Sequence, residues 1–239
     1  MSTPLYAELA RAAVESVERH LKVPVQVVEC EDREAYLTKL RLDRLCPKTK
    51  CVFFDADWRA IRDMDLTGWD GAAWMAVHDP GVFHPKAFPV HDCPVLGLDA
   101  GQYFNSGFFC WDNSRAEHRA VFGTARKLSQ EIEAGKIDKL HDWGDQSLLN
   151  AGVQHNKVPL HLLPFGFNYM RFMVQGRSFL HTPAMVHAVH AAGFPVAEKM
   201  RHLDVAAEFL GYDLDTSESG ERAEDAAVKF QHARAIKLA

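Results

Sequence analysis

Five cysteines in a chain of 239 residues, an odd number with no C-x-x-C among them, make neither a disulfide framework nor a structural zinc site. Long apolar runs are also missing, since nothing approaches the roughly 18 residues that a membrane span needs. Glu8, Arg11, Glu15, Glu18 and Arg19 crowd the first twenty positions, where a signal-peptide core would tolerate no such charges. The expectation is a reduced, cytoplasmic, soluble protein. A basic excess is lacking too: 27 Lys and Arg stand against 32 Asp and Glu, for a net charge of −5. That argues against a protein that grips nucleic acid through its phosphates, while leaving room for a local basic groove. No internal repeat is present. Against these absences, 47% hydrophobic and 25% charged residues are the balance of an ordinary globular chain. The length suits one α/β domain with a substantial core.

Hydrophobic periodicity outlines the elements. Leu5, Leu9, Ala13 and Val17 repeat every four residues and predict a helix over 5–21. The β-branched run 23–30 predicts a strand, and Tyr36, Leu37, Leu40 and Leu45 a helix over 33–45. Lys50 to Phe54 then forms a buried strand. Helix, strand, helix, strand is the rhythm of a parallel sheet with crossovers. Residues 78–103, rich in Pro, Gly and His, show neither period and read as a long ordered loop. Strand character returns over 104–111. Ser114 and Glu117 form a capping box that opens a helix to about Ala134, with Gly135 beyond its end. A shorter helix spans Asp145 to Val153, and strands follow at 160–163 and 184–189. The tail divides by charge: 213–225 holds six acids and one Arg, whereas 226–239 holds Lys229, His232, Arg234 and Lys237 and no acid. It reads as an acidic connector and a basic amphipathic helix, docked on the domain or in weak contact with a membrane surface.

The sharpest local signal is Val52-Phe53-Phe54-Asp55-Ala56-Asp57. An apolar strand is followed by two carboxylates, two positions apart and therefore on one side of an extended chain. Paired carboxylates at a strand end suit a hard divalent cation and the phosphates it binds. In an open α/β sheet, ligands bind at the carboxyl ends of strands.

Four further segments stand in order behind this one: YFNSGFFCW at 103–111, DQSLLN at 145–150, LPFGFN at 163–168 and AMVHAVHAAG at 184–193. Together with FFDAD at 53–57 they resemble, motif by motif, glycosyltransferase family 8 and related GT-A proteins. The resemblance implies a GT-A-like fold over residues 1–210, a mixed and mostly parallel sheet with helices on both faces. It implies a hexosyltransferase-like enzyme that moves a sugar from a nucleotide-diphosphate donor, a UDP-sugar, with retention. Asp55 and Asp57 would bind Mn²⁺ or Mg²⁺, with His187, or alternatively His190, completing the metal shell. Asn105 and Ser106 would line the sugar, Asp145 would hydrogen-bond its hydroxyls, and Gln146 would lie near the anomeric carbon. Lys39 takes the place of a basic residue that touches the donor. Tyr6 would stack on the base and Lys199 would contact a phosphate.

The chain departs from that pattern in two places. Val196 stands where H-x-x-G-x-x-K counted from His190 wants its lysine, and the first helix begins too early for the family's first strand. Either the sequence is truncated or that sheet position is filled differently. Two other readings stay open. A haloacid-dehalogenase-like phosphatase also places two aspartates after an apolar strand, although its motif does not continue with Trp58-Arg59. An inactive GT-A-like binding module is the other. The acceptor, whether glycan, lipid, protein, small molecule or modified nucleic acid, is not written in the sequence. The loop 78–103 is where that choice is expected to be made.

Overall fold

Leu9, Ala10, Ala13 and Val17 fall on one stripe of helix α1 (Ala7–His20) and are buried there, as three- and four-residue spacing dictates. The computed structural model describes residues 4–31, 34–46, 48–83, 87–142, 145–170 and 186–211. After α1 come two short helices, α2 (Ala35–Lys39) and α3 (Leu42–Leu45), then strands β1 (Lys50–Phe54), β2 (Trp58–Ala60) and β3 (Trp74–His78). Helix α4 (Phe88–Leu96), strand β4 (Phe104–Asp112) and helices α5 (Ala116–Glu133) and α6 (Gln146–His155) follow. Strands β5 (Leu160–Leu163), β6 (Tyr169–Met170) and β7 (Ala188–His190) lead to helix α7 (Val196–Gly211).

These elements sort into two compact units. The first takes in Val27–Asp55 and Leu66–Pro164. Its sheet has the order β1-β4-β3-β5, with β4 antiparallel to both β1 and β3, and β5 parallel to β3. All nine residues of β4 are buried, because its sheet position covers both faces. Phe109 stacks between Phe53 and Trp74, with centroids 4.9 and 5.1 Å away, and Trp111 and Phe122 extend this aromatic core. The second unit takes in Tyr6–Gln26, Ala56–Asp65 and the described residues from Phe165 on. Its sheet runs β2-β7-β6, antiparallel then parallel. Leu9, Val186, Val189 and Leu203 form its core.

The α/β class and mixed sheet are as expected, but the strand directions lean further toward antiparallel than a mostly parallel sheet. The apolar continuity of β4 reports burial on both faces and says nothing of direction. Several local expectations are corrected. Residues 23–30 form no strand beyond an isolated bridge at Glu29, and Val23 and Val27 are exposed. The helix expected over 33–45 is broken after Lys39 into α2 and α3. The expected loop 78–103 contains α4, flanked by single 3-10 turns at Pro80–Phe83 and Ala100–Gln102. Its prolines disguised it: Pro89 sits in the first turn, where no N–H partner is lost, and Pro94 lies inside the helix. Ser114 does not cap α5; its hydroxyl donates to Asp112 Oδ1 instead, at 2.6 Å. The strand expected at 184–189 is observed as β7, of which the expectation overlapped two residues, Ala188 and Val189. Helix α7 was not anticipated. The charge-divided tail, 213–239, lies outside the described residues.

Candidate active site

Burial of Cys51 and Phe53 against the core fixes β1 and delivers Asp55 at its end, where the Asp55 N–H donates to the Gly107 carbonyl at 2.9 Å. Lys39 arrives at the end of α2 and is 4% exposed. Its Nζ lies 3.0 Å from Asp55 Oδ1 and 2.8 Å from Asp145 Oδ2, and donates to Ser106 Oγ at 3.3 Å. Ser106 Oγ in turn donates to Asp145 Oδ2 at 2.6 Å. Burial by itself would push the Lys39 ammonium toward neutrality. Asp145 and then Asp55 outweigh it and hold its pKa above lysine's ordinary value.

A second layer of the same unit aligns Gln146. Its Nε2 donates to Asp79 Oδ2 at 2.7 Å. Its Oε1 accepts from Asn105 Nδ2 and from the Ser106 N–H, both at 3.0 Å. Asn105 Nδ2 also donates to Asp79 Oδ2, at 3.1 Å, and Asn105 Oδ1 accepts from the Gly107 N–H. Asp79 is 3% exposed and was not singled out from the sequence. Its signal was the one that marked Asp55, an acid directly after a buried apolar strand, here WMAV of β3. Asn150, one turn along α6, clasps the backbone of Phe104 through both its amide atoms. The site residues of β4 and α6 are thereby fixed to each other.

In the second unit, Asp57 lies in the turn that leads into β2. His190 Nε2 lies 3.3 Å from Asp57 Oδ1, Lys199 Nζ donates to Asp57 Oδ2, and the Ala191 N–H donates to the Asp57 carbonyl at 3.0 Å. Lys199 also donates to the Ala191 carbonyl at 2.8 Å and sits 5.8 Å from the centre of the Tyr6 ring. Burial would raise the Asp57 pKa, yet His190 and Lys199 overcome it and hold the carboxyl well below the usual carboxylate range. His187 is placed otherwise: its Nδ1 pairs with the Asp63 carbonyl at 3.0 Å, and its ring stacks on Phe167. The structure thus joins Lys39, Asp55, Ser106, Asp145, Asn105 and Gln146 in one unit and Asp57, His190, Lys199 and Tyr6 in the other. An oxygen donor beside an imidazole nitrogen, as at Asp57 and His190, suits a divalent first-row cation.

A solved structure of the galactosyltransferase LgtC with donor and acceptor sugar analogues superposes with a TM-score of 0.58 at 14% identity, covering 86% of this chain and 93% of that one. The fold is GT-A-like. An active-site mutant of LgtC agrees, with a TM-score of 0.57 at 15% identity, 93% of this chain and 97% of that one. No protein-family model matches the chain, and no curated protein matches its sequence. Among the described residues no helix is long and apolar enough to cross a membrane.

Proposed function

We propose that the chain is a metal-dependent glycosyltransferase that moves a hexose from a nucleotide-diphosphate donor, a UDP-sugar, to an acceptor hydroxyl with retention of anomeric configuration. The observation that carries the reading is the buried Lys39–Asp55–Asp145–Ser106 cluster, with Gln146 aligned behind it, on a GT-A-like fold. In the reaction the bond from the anomeric carbon to the diphosphate oxygen breaks and a bond to the acceptor oxygen forms. The acceptor's proton leaves with the diphosphate. Asp57 and His190 offer an oxygen and a nitrogen donor suited to Mn²⁺ or Mg²⁺, and the reading assigns Asp55 as a further carboxylate for the cation. A cation held there would supply Lewis-acid charge neutralisation for the departing diphosphate.

The chain's own groups do the rest. Lys39 supplies a fixed positive charge toward the donor, and Lys199 supplies a second toward its phosphates. Asn105, Ser106 and Asp145 hold sugar hydroxyls, and Gln146, its amide oriented by Asp79, faces the anomeric carbon. Tyr6 offers an aromatic face to the base. A sugar-bearing molecule is the acceptor class this reading favours.

Thermal stabilisation and UDP release, measured across a panel of UDP-sugars with and without Mn²⁺, test this reading. Stabilisation and turnover that need both Mn²⁺ and one UDP-sugar, and that vanish in Asp57→Asn, are expected. Release of phosphate from a simple phosphomonoester without nucleotide-sugar turnover would favour the phosphatase. Binding without turnover, even with sugar acceptors present, would leave an inactive module.

A further inference from the structure

Away from the proposed active site, two cysteines meet. Cys46 caps the C-terminus of α3 and Cys51 is the second residue of β1, and their Sγ atoms are 2.7 Å apart. Both sulfurs are thiols, as are those of Cys30, Cys93 and Cys110. The approach is enforced from several sides. Asn113 Nδ2 donates to the carbonyls of Asp43 and Cys46, each at 2.8 Å. Arg126 grips Asp43 through both guanidinium nitrogens, at 2.6 and 3.0 Å. Cys51 is held in the ladder opposite Trp111. The end of α3 and the start of β1 are therefore each anchored independently, with the thiols facing one another. A covalent S–S bond of about 2.05 Å requires only about 0.7 Å of further approach.

We propose that Cys46 and Cys51 are a redox-active dithiol, oxidised to an intramolecular disulfide by a low-molecular-weight disulfide such as oxidised glutathione. The two thiols differ in access. Cys51 is 5% exposed, and burial followed by the neighbouring Cys46 pushes its thiol up, away from ionisation. Cys46 is half-buried and reaches solvent, so its thiolate makes the first attack. The Cys46 sulfur bonds to one sulfur of the oxidant, the oxidant's S–S bond breaks, and one reduced thiol leaves with a proton. Cys51, deprotonating as it reacts, then attacks the Cys46 sulfur and expels the second reduced thiol. Two protein thiols are oxidised, and one disulfide molecule is reduced to two thiols. The new bond ties α3 to β1 and so restrains both chain segments that carry Lys39 and Asp55.

Incubation of the full chain with oxidised glutathione, followed by thiol counting and peptide mapping under non-reducing conditions, decides the matter. The expected result is loss of two of the five thiols, a single Cys46–Cys51 cross-link in a monomeric chain, and full recovery with dithiothreitol. In Cys51→Ala the reaction should stop with glutathione attached to Cys46. In Cys46→Ser neither Cys51 nor the cross-link should react. The melting temperature of each variant before oxidation confirms that it is folded. Five unreacted thiols, a cross-link between other cysteines, or stable glutathione adducts on Cys46 of the unmutated chain would each overturn the proposal.

Discussion

Lys39 Nζ and Asp145 Oδ2 lie 2.8 Å apart, a buried ion pair between the last residue of α2 and the residue that precedes α6. Asp145 stands at the N-cap position yet makes no side-chain cap bond. Its carboxylate is directed instead at Lys39 and Ser106. A capping role and a site role, which the sequence leaves compatible, are separated by this geometry: the helix loses nothing from its terminus when the carboxylate is altered.

Replacing Lys39 with Met removes the one cation that faces Asp145 in this cluster and leaves the carboxylate buried. Breaking a buried pair from one side costs about 3–5 kcal/mol. Denaturant titration of Lys39→Met should show a loss of that size. A midpoint close to that of the parent would mean that the two aspartates are neutral or solvated without the lysine.

Changing Asp145 to Asn keeps an acceptor for Ser106 and removes the charge opposite Lys39. Donor turnover by the folded variant should drop on the order of 100-fold, the scale of losing one fixed electrostatic contact in a reaction site. The assay is UDP release well below the variant's melting temperature. Turnover at the parent's rate by folded Asp145→Asn would remove Asp145 from the site.

His118 is fully buried, and its Nδ1 accepts from the Asp112 N–H at 2.9 Å. Burial first, with Arg115 adding to it, holds its pKa below 6.5 against the opposing pull of Glu117 and Asp112. With the folded pKa below the unfolded one, the unfolded chain binds more protons in between. The contribution to stability is therefore full above the unfolded value of about 6.5, and is lost as pH falls through the folded value. His118→Asn keeps an acceptor at this place and cannot titrate. Subtracting its melting-temperature profile from the parent's should reveal a parent-specific decline on going from pH 7 to pH 5. Parallel profiles would contradict the buried neutral imidazole.

A methyl group at Gly152 of α6 would come within 2.4 Å of the Val121 carbonyl oxygen of α5. Backbone cannot yield as a side-chain tip can, so the two helices must separate. Gly152→Ala should destabilise the chain by about 1–3 kcal/mol, although alanine is the better helix former. Calorimetry showing equal or greater stability would mean that α6 shifts along α5 without cost.

Much of the architecture is local in origin and was legible. The stripe of α1, the apolar runs of β1 and β4, and the polar–apolar alternation of α5 each specify an element from its own residues. The acids at 55 and 57, the Asn-Ser pair at 105–106 and the Asp-Gln pair at 145–146 were legible as polar breaks beside apolar runs. Their pairings were not. The family resemblance alone marked Lys39, because nothing in its immediate neighbours distinguishes it from a surface lysine on a short helix. It becomes a buried counter-charge only because α2 is packed where Asp55 and Ser106 arrive from strands. Asp79 likewise acquires its meaning from Gln146, 67 positions away.

The sequence by itself determined α1, α5 and α6 as helices and β1 and β4 as strands, and the carboxylates at 55 and 57 as emerging from an apolar run, because these depend on spacing within a few residues. Tertiary structure alone decided that β4 runs against both its neighbours, that α4 forms across Pro94, and that His190 rather than His187 stands beside Asp57. Strand direction, a helix carried past a proline and the choice between two nearby imidazoles are each settled by packing against residues distant in the chain. No local period carries that information.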